Sequence, residues 1–214
     1  VVLRPDFPAE ELERQRTRRL VQLKQVLDQP QYVAFMVGQK VIYGDHPYGR
    51  PSLGTPQAVQ AATLDDVKAF WRGEFQASNA RLIVVGDVTR AEVEAALGRA
   101  FGKWKKGMAR TRELPPVPAA GPRTIYLVDK PGAAQSILLA GLPGVPRTTP
   151  DFAALEVVNT ALGGQFVSRL NLNLREEKGY TYGARTRFDY GLAGGDFTAS
   201  APVQTKVTAA ALKE

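Results

Sequence analysis

Arg175 and Tyr182 are the residues of this chain whose types and spacing best suit chemistry. They fall in the run Ser168-Arg169-Leu170-Asn171-Leu172-Asn173-Leu174-Arg175-Glu176-Glu177-Lys178-Gly179-Tyr180-Thr181-Tyr182-Gly183. There the pattern predicts a helix from about Ser168 to Lys178 that delivers Arg175 near its C-terminal end, a break at Gly179, and Tyr182 on a following strand. A guanidinium is permanently charged and a phenol is a hydrogen-bond donor, so the two converging on one spot suit a peptide carbonyl or a developing oxyanion. Spacing alone favours a plainer alternative, in which Arg175 pairs with Glu176 or Glu177.

Other chemistries find little support. His46 is the only histidine and there is no cysteine, so neither a histidine-pair zinc site nor a thiolate site can be built from this chain alone. His46 stands before Pro47 in a turn, which points to a structural or solvent-facing role. No G-x-S-x-G elbow precedes a helix, and Gly163-Gly164 runs into Gln165-Phe166 rather than a phosphate-cradling Lys-Ser/Thr. A net charge of +7 raises the question of nucleic acid. The basic clusters Arg14 to Arg19 and Lys103 to Lys106 accompany amphipathic helices without interleaved aromatics, so they read as solvated faces and no nucleic-acid partner is expected. The longest apolar run, Leu82 to Val85, is far too short to cross a bilayer, and no membrane insertion is expected. Val1 opens on no signal-like pattern and is not expected to be the natural start. The compartment is open between cytoplasm and periplasm.

The elements that must position the pair follow from periodicity and punctuation. With 44% hydrophobic and 23% charged residues the chain has the balance of a globular protein. Leu12, Leu20, Leu23 and Leu27 share one face of a helix from Pro8 to about Leu27, with Glu10, Glu11 and Glu13 in its first turn. A second helix runs from Tyr32 to about Ile42. A third begins at Thr63, which can cap the amide of Asp66, and a fourth opens on the Thr89 to Glu92 capping box. Leu64, Val67, Phe70, Trp71 and Phe75 form an apolar stripe on the third, and the stripe of the fourth, Val93, Ala96, Leu97, Ala100, Phe101 and Trp104, reads as core packing. Strands are expected at Arg81 to Val85, Thr124 to Val128, Ser136 to Leu142, Tyr180 to Tyr190 and Asp196 to Val203. Thr149-Pro150 should open a helix that runs through Leu162 to Gly163-Gly164. The Pro-rich segment before Arg123 places a boundary, giving 1–110, a linker at 111–122, and 123–214.

Three blocks carry a resemblance to a known family. The Ser168 to Gly183 run, with Gly163-Gly164 before it, is similar to the second-domain signature of the insulinase/pitrilysin zinc metallopeptidases, G-G … S-R-L … L-R-E-x-[KR]-G-x-x-Y. Tyr43 to Thr55 resembles the family's H-P-x-G-R-P-x-x-G-T turn, and Asn79 to Val88 its N-x-x-L-V-V-V-G-D-V segment. The resemblance implies that Arg175 and Tyr182 bind substrate and stabilise the tetrahedral intermediate formed at a zinc held by another domain. It also implies an α+β fold of two related α/β-sandwich domains, each an antiparallel or mixed sheet with helices on one face, both incomplete here.

One departure from the family pattern matters. Laid on the segment Phe7 to Arg14, the pattern puts Gln22 where the third zinc ligand, a glutamate, is expected. No Asp or Glu lies between Glu13 and Asp28 to replace it. A neutral amide brings no charge to offset the cation. The resemblance then implies zinc in the active assembly but not bound by this chain, and a fragment inactive on its own. The expected partners are a peptide substrate and a homologous zinc-bearing subunit or a second copy. Two alternatives stand beside this reading: a complete zinc endopeptidase with H-x-x-E-H upstream of Val1, and a non-enzymatic scaffold subunit.

Overall fold

The computed structural model describes residues 2–108 and 113–214. Part of the expected 111–122 linker, Thr111 and Arg112, lies outside the described residues, as do Ala109 and Arg110 of the expected first domain; residues 113–122 form no helix or strand. The chain divides into two compact units that interleave along the sequence: Val1–Val21 with Thr55–Glu113, and Gln22–Gly54 with Leu114–Glu214.

The first unit is helical. It holds the start of α1 (Ala9–Leu27), α3 (Pro56–Ala61), α4 (Leu64–Glu74) and α5 (Arg90–Phe101). Thr55, Thr63 and Thr89 each accept the backbone N–H three residues on, and at Thr63 and Thr89 the reciprocal bonds from Asp66 and Glu92 complete capping boxes. α3 has no counterpart in the helices expected from periodicity. Its last carbonyls are gathered by Arg16, which donates to Gln60 O and Ala62 O at 2.8 Å while ion-paired with Glu13. Phe7 meets Trp71 edge-on at 5.8 Å, and the Trp71 indole N–H donates to Val2 O at 3.1 Å. The stripes of α4 and α5 are not core here, since Phe70, Phe75 and Phe101 stay exposed. Among its described residues this unit has no strand to receive them. Arg81 to Val85 is not a strand: a strand exists only as a member of a ladder, and no partner pairs with this run among the described residues. Thr124 to Val128 in the second unit departs from expectation for the same reason.

The second unit holds the sheet and all the buried apolar residues described. β1 (Gln135–Gly144), β2 (Arg185–Tyr190) and β3 (Gly195–Gln204) are antiparallel in the order β1-β3-β2, with Gln135 opposite Gln204 and Arg185 opposite Ser200. Alternation sends Phe197, Ala199, Ala201 and Val203 to one face. There Leu174, Ala184, Ala201, Val203 and Ala211 form the buried cluster, with Leu138, Leu170, Tyr180 and Val207 packed around it. The small alanines let α8 (Thr208–Lys213) and the 169–177 helix approach the strands closely, and full burial of Val203 stabilises the unit by roughly 1.5–3 kcal/mol.

The opposite face receives α2 (Pro30–Tyr43), which begins on Pro30 rather than after it, since proline at N1 lacks only a donor that would be unpartnered anyway. From α2, Tyr43 Oη donates to Asp196 Oδ2 at 2.8 Å and Gln39 Nε2 to the same oxygen at 3.1 Å. The helix after Thr149 starts two residues later than expected, as α6 (Phe152–Asn159), because Thr149 Oγ1 accepts the N–H of Asp151 in a turn of its own.

Candidate functional site

Arg175 sits in a widened helical turn. The helix that begins as α7 (Arg169–Asn171) passes into a π-helical segment, Leu172–Glu177, and Lys178 N–H reaches back to Asn173 O at 3.0 Å. Gly179 then takes φ +63, a left-handed conformation that glycine adopts without Cβ strain, and the chain turns toward the sheet. Tyr180 N–H donates to Leu174 O at 2.9 Å. Thr181 makes an isolated bridge with Val203, and its hydroxyl bonds Gly183 O at 3.0 Å and Pro202 O.

Tyr182 therefore stands in a bend between this bridge and β2, not on the strand expected from Tyr180 onward, which starts only at Arg185. Thr181 spends its hydroxyl on the turn, and regular pairing is postponed past Gly183. The consequence is exposure: Tyr182 is 90% exposed, its phenol directed away from the core.

Arg175 and Tyr182 line one cavity of ≈ 340 Å³ together with Gln135, Glu176, Gly179, Tyr180, Thr181 and Gln204. The Arg175 side chain is 30% exposed. Its Nη1 donates to Glu176 Oε1 at 2.9 Å, so the ion pair that spacing alone favoured is present. Among the described residues that is its one side-chain hydrogen bond, leaving Nε and Nη2 with donors to offer. The guanidinium carbon also lies 3.9 Å from the centre of the Phe166 ring. The wall thus combines a cation, a phenol and the glutamines that begin β1 and end β3, a donor-rich rim suited to backbone carbonyls.

The zinc chemistry the family pattern implies finds no holder in this donor set. Gln22 lies exposed on α1. His46 is buried with both ring nitrogens engaged: Nδ1 accepts Tyr48 N–H at 3.1 Å and Nε2 lies 2.9 Å from Pro115 O. No group of three His, Cys, Asp or Glu among the described residues could hold a metal ion. The described residues do not fit a zinc site.

Three residues support the site through contacts that the sequence does not disclose. Asn171, buried, donates to Ala184 O at 2.8 Å and to Gln165 O at 3.0 Å, and accepts Ala184 N–H at 2.9 Å. Phe166 lies two residues past the Gly163-Gly164 pair, where no periodicity marks it. Gly163 is buried against β2, where an added Cβ would come within 2.6 Å of Thr186 N. An asparagine inside a helical run is the one local signal of a side chain that bonds backbone.

The profile of the family described as peptidase M16 inactive domain matches residues 61–214. An uncharacterised zinc protease of Streptomyces coelicolor is 32% identical over 146 residues, covering 66% of this chain and 32% of that protein. A Helicobacter pylori protein named a non-peptidase homologue is 25% identical over 205 residues, 95% of this chain and 46% of its own. The crystal structure of a peptidase M16 inactive domain from Pseudomonas fluorescens superposes with a TM-score of 0.91 at 30% identity, covering 99% of this chain and 51% of that one. The chain thus spans about a third to a half of the length of these relatives. No helix among the described residues is long and apolar enough to cross a membrane. Fold and sequence agree that this α+β chain belongs to the insulinase-like M16 metallopeptidase family, within its inactive-domain branch.

Proposed function

We propose that this chain is the zinc-less, substrate-binding part of a zinc metalloendopeptidase acting on peptides or unfolded chains, with Arg175 and Tyr182 binding the substrate carbonyl. The observation that carries the reading is the shared cavity: a guanidinium with open donors and an exposed phenol on one rim, in a chain whose described residues do not fit a zinc site. Both groups donate to a carbonyl oxygen and gain strength as charge builds on it, while Glu176 holds one edge of the guanidinium in place. Zinc in the assembly is then supplied by a homologous subunit or domain; relatives named zinc proteases support its presence in the family. In this reading 1–110 and 123–214 are parts of two related domains joined by the Pro-rich segment 111–122.

The test is metal analysis and reconstitution with the full-length protein. The expected result is no tightly bound stoichiometric zinc in the purified subunit, peptide cleavage only when the zinc-bearing homologue is added, and loss of that cleavage in Arg175→Ala and Tyr182→Phe. Chelator-sensitive cleavage by the single gene product would instead establish a complete endopeptidase. The relative named a non-peptidase homologue supports a second reading, a scaffold subunit. Full cleavage by the reconstituted Arg175→Ala/Tyr182→Phe pair would favour it.

A further inference from the structure

A guanidinium rides on a long, flexible stem, and its rotamer freedom works against a fixed donor geometry. Two contacts restrain that of Arg175. Glu176 holds Nη1 at 2.9 Å, and the ring of Phe166 lies 3.9 Å from the guanidinium carbon. A carboxylate at one edge and a ring at one face leave Nε and Nη2 for a ligand. Phe166 is 65% exposed, so core packing does not account for a large aromatic here. Its one cation or ring contact among the described residues is Arg175. A ring quadrupole attracts a cation over its face, and the flat guanidinium stacks there as an ammonium would not.

We infer that Phe166 is a positioning residue that holds the Arg175 guanidinium on the cavity rim by cation–π stacking. The inference rests on the reading of Arg175 and Tyr182 as the carbonyl-binding pair. It also accounts for the span from Gly163 to Arg175: Gly163 seats the helix end against β2, and the ring three residues on reaches the guanidinium nine beyond it.

The test uses the full-length protein with its zinc-bearing partner and a fluorogenic peptide. Phe166→Leu keeps apolar bulk without a π face, and should lower kcat by about two- to fivefold, the factor carried by a cation stacked at an exposed ring, with KM and Tm nearly unchanged. Phe166→Trp should retain wild-type rates. In the residual cleavage of an Arg175→Ala background, measured at high enzyme concentration, Phe166→Leu should cost nothing more. Equal losses in Phe166→Leu and Phe166→Trp, or a Phe166→Leu loss that persists without Arg175, would overturn the inference. If Arg175→Ala and Tyr182→Phe leave cleavage intact, the carbonyl-binding reading fails, and positioning is read by NMR instead. The Arg175 δ protons should show an upfield ring-current shift that Phe166→Leu abolishes. Absence of that shift in the wild-type protein overturns the inference whatever the kinetics.

Discussion

The side-chain amide of Asn171 closes a two-bond ring with the backbone of Ala184, donating at 2.8 Å to its carbonyl and accepting its N–H at 2.9 Å, as a neighbouring strand would. Helix and sheet are thereby joined immediately before β2, on the far side of the bend that carries Tyr182. Asn171→Ala leaves two buried backbone groups without partners. The expected loss is about 2–6 kcal/mol of stability, from roughly 1–3 kcal/mol per orphaned group. Denaturant unfolding checks it, and Asn171→Asp, which keeps the acceptor, should fall between the two.

Gly163, at the end of the preceding helical run, tests a second contact with the sheet. A methyl group there would meet the backbone N of Thr186 at 2.6 Å, and backbone cannot swing aside. Gly163→Ala is expected to destabilise by about 1–3 kcal/mol, the usual cost of overpacking. Gly179→Ala, where space is open but φ is +63, should cost only about 1–2 kcal/mol. Thermal unfolding of the two variants side by side separates crowding from backbone conformation.

How much of this was legible in the sequence depends on how far apart the causes lie. Thr63 and Thr89 announced their helices because a cap and its acceptor are three residues apart. The run 81–85 has the apolar β-branched residues of a strand yet forms none, because such residues record a preference, whereas a ladder needs a partner that periodicity cannot supply. The π-helical turn at Leu172–Glu177 was invisible, since one extra residue in a turn barely disturbs a short apolar pattern. Arg175 could be found by motif. Its neighbour Glu176 could be read as an ion-pair partner from spacing, but Phe166, nine residues away, meets it only through a fold-dependent turn, and the bend that exposes Tyr182 follows from a bridge between Thr181 and Val203.

The contact between Tyr43 and Asp196 is a long-range example, and it sets a pH dependence. Burial, followed by the hydrogen bond to the Asp196 carboxylate, raises the Tyr43 phenol well above its ordinary value of 10.0. A group whose folded pKa is raised contributes stability that is complete below its unfolded pKa and is lost as pH rises beyond it. The second unit should therefore hold its stability up to about pH 10 and lose it progressively above, an effect Tyr43→Phe removes. Asp196 is 2% exposed and its Oδ1 has no hydrogen-bond partner among the described residues. Asp196→Ala orphans the Tyr43 hydroxyl in turn, at about 1–3 kcal/mol. Urea titrations at pH 7 and pH 11 measure both effects, and identical alkaline losses in wild type and Tyr43→Phe would contradict the assignment.

Each unit also leaves one apolar run uncovered. Ile83 and Val85 are 87% and 93% exposed, and Leu127 is 91% exposed. Short windows of β-branched and aromatic residues with no charge are templates for strand pairing, and nothing among the described residues pairs with either one. A partner that supplies strands, whether a homologous domain or a second copy, would cover them. The 214-residue chain alone should consequently associate with rising concentration in sedimentation velocity. Ile83→Lys combined with Leu127→Lys should hold it monomeric without lowering Tm, because neither side chain is buried and a charge on an open edge opposes pairing. A wild-type chain that stays monomeric at high concentration would remove the reason to look for a strand-donating partner. Association that survives both lysines would move the search to the uncovered stripe of α4, where Phe70 and Phe75 are exposed.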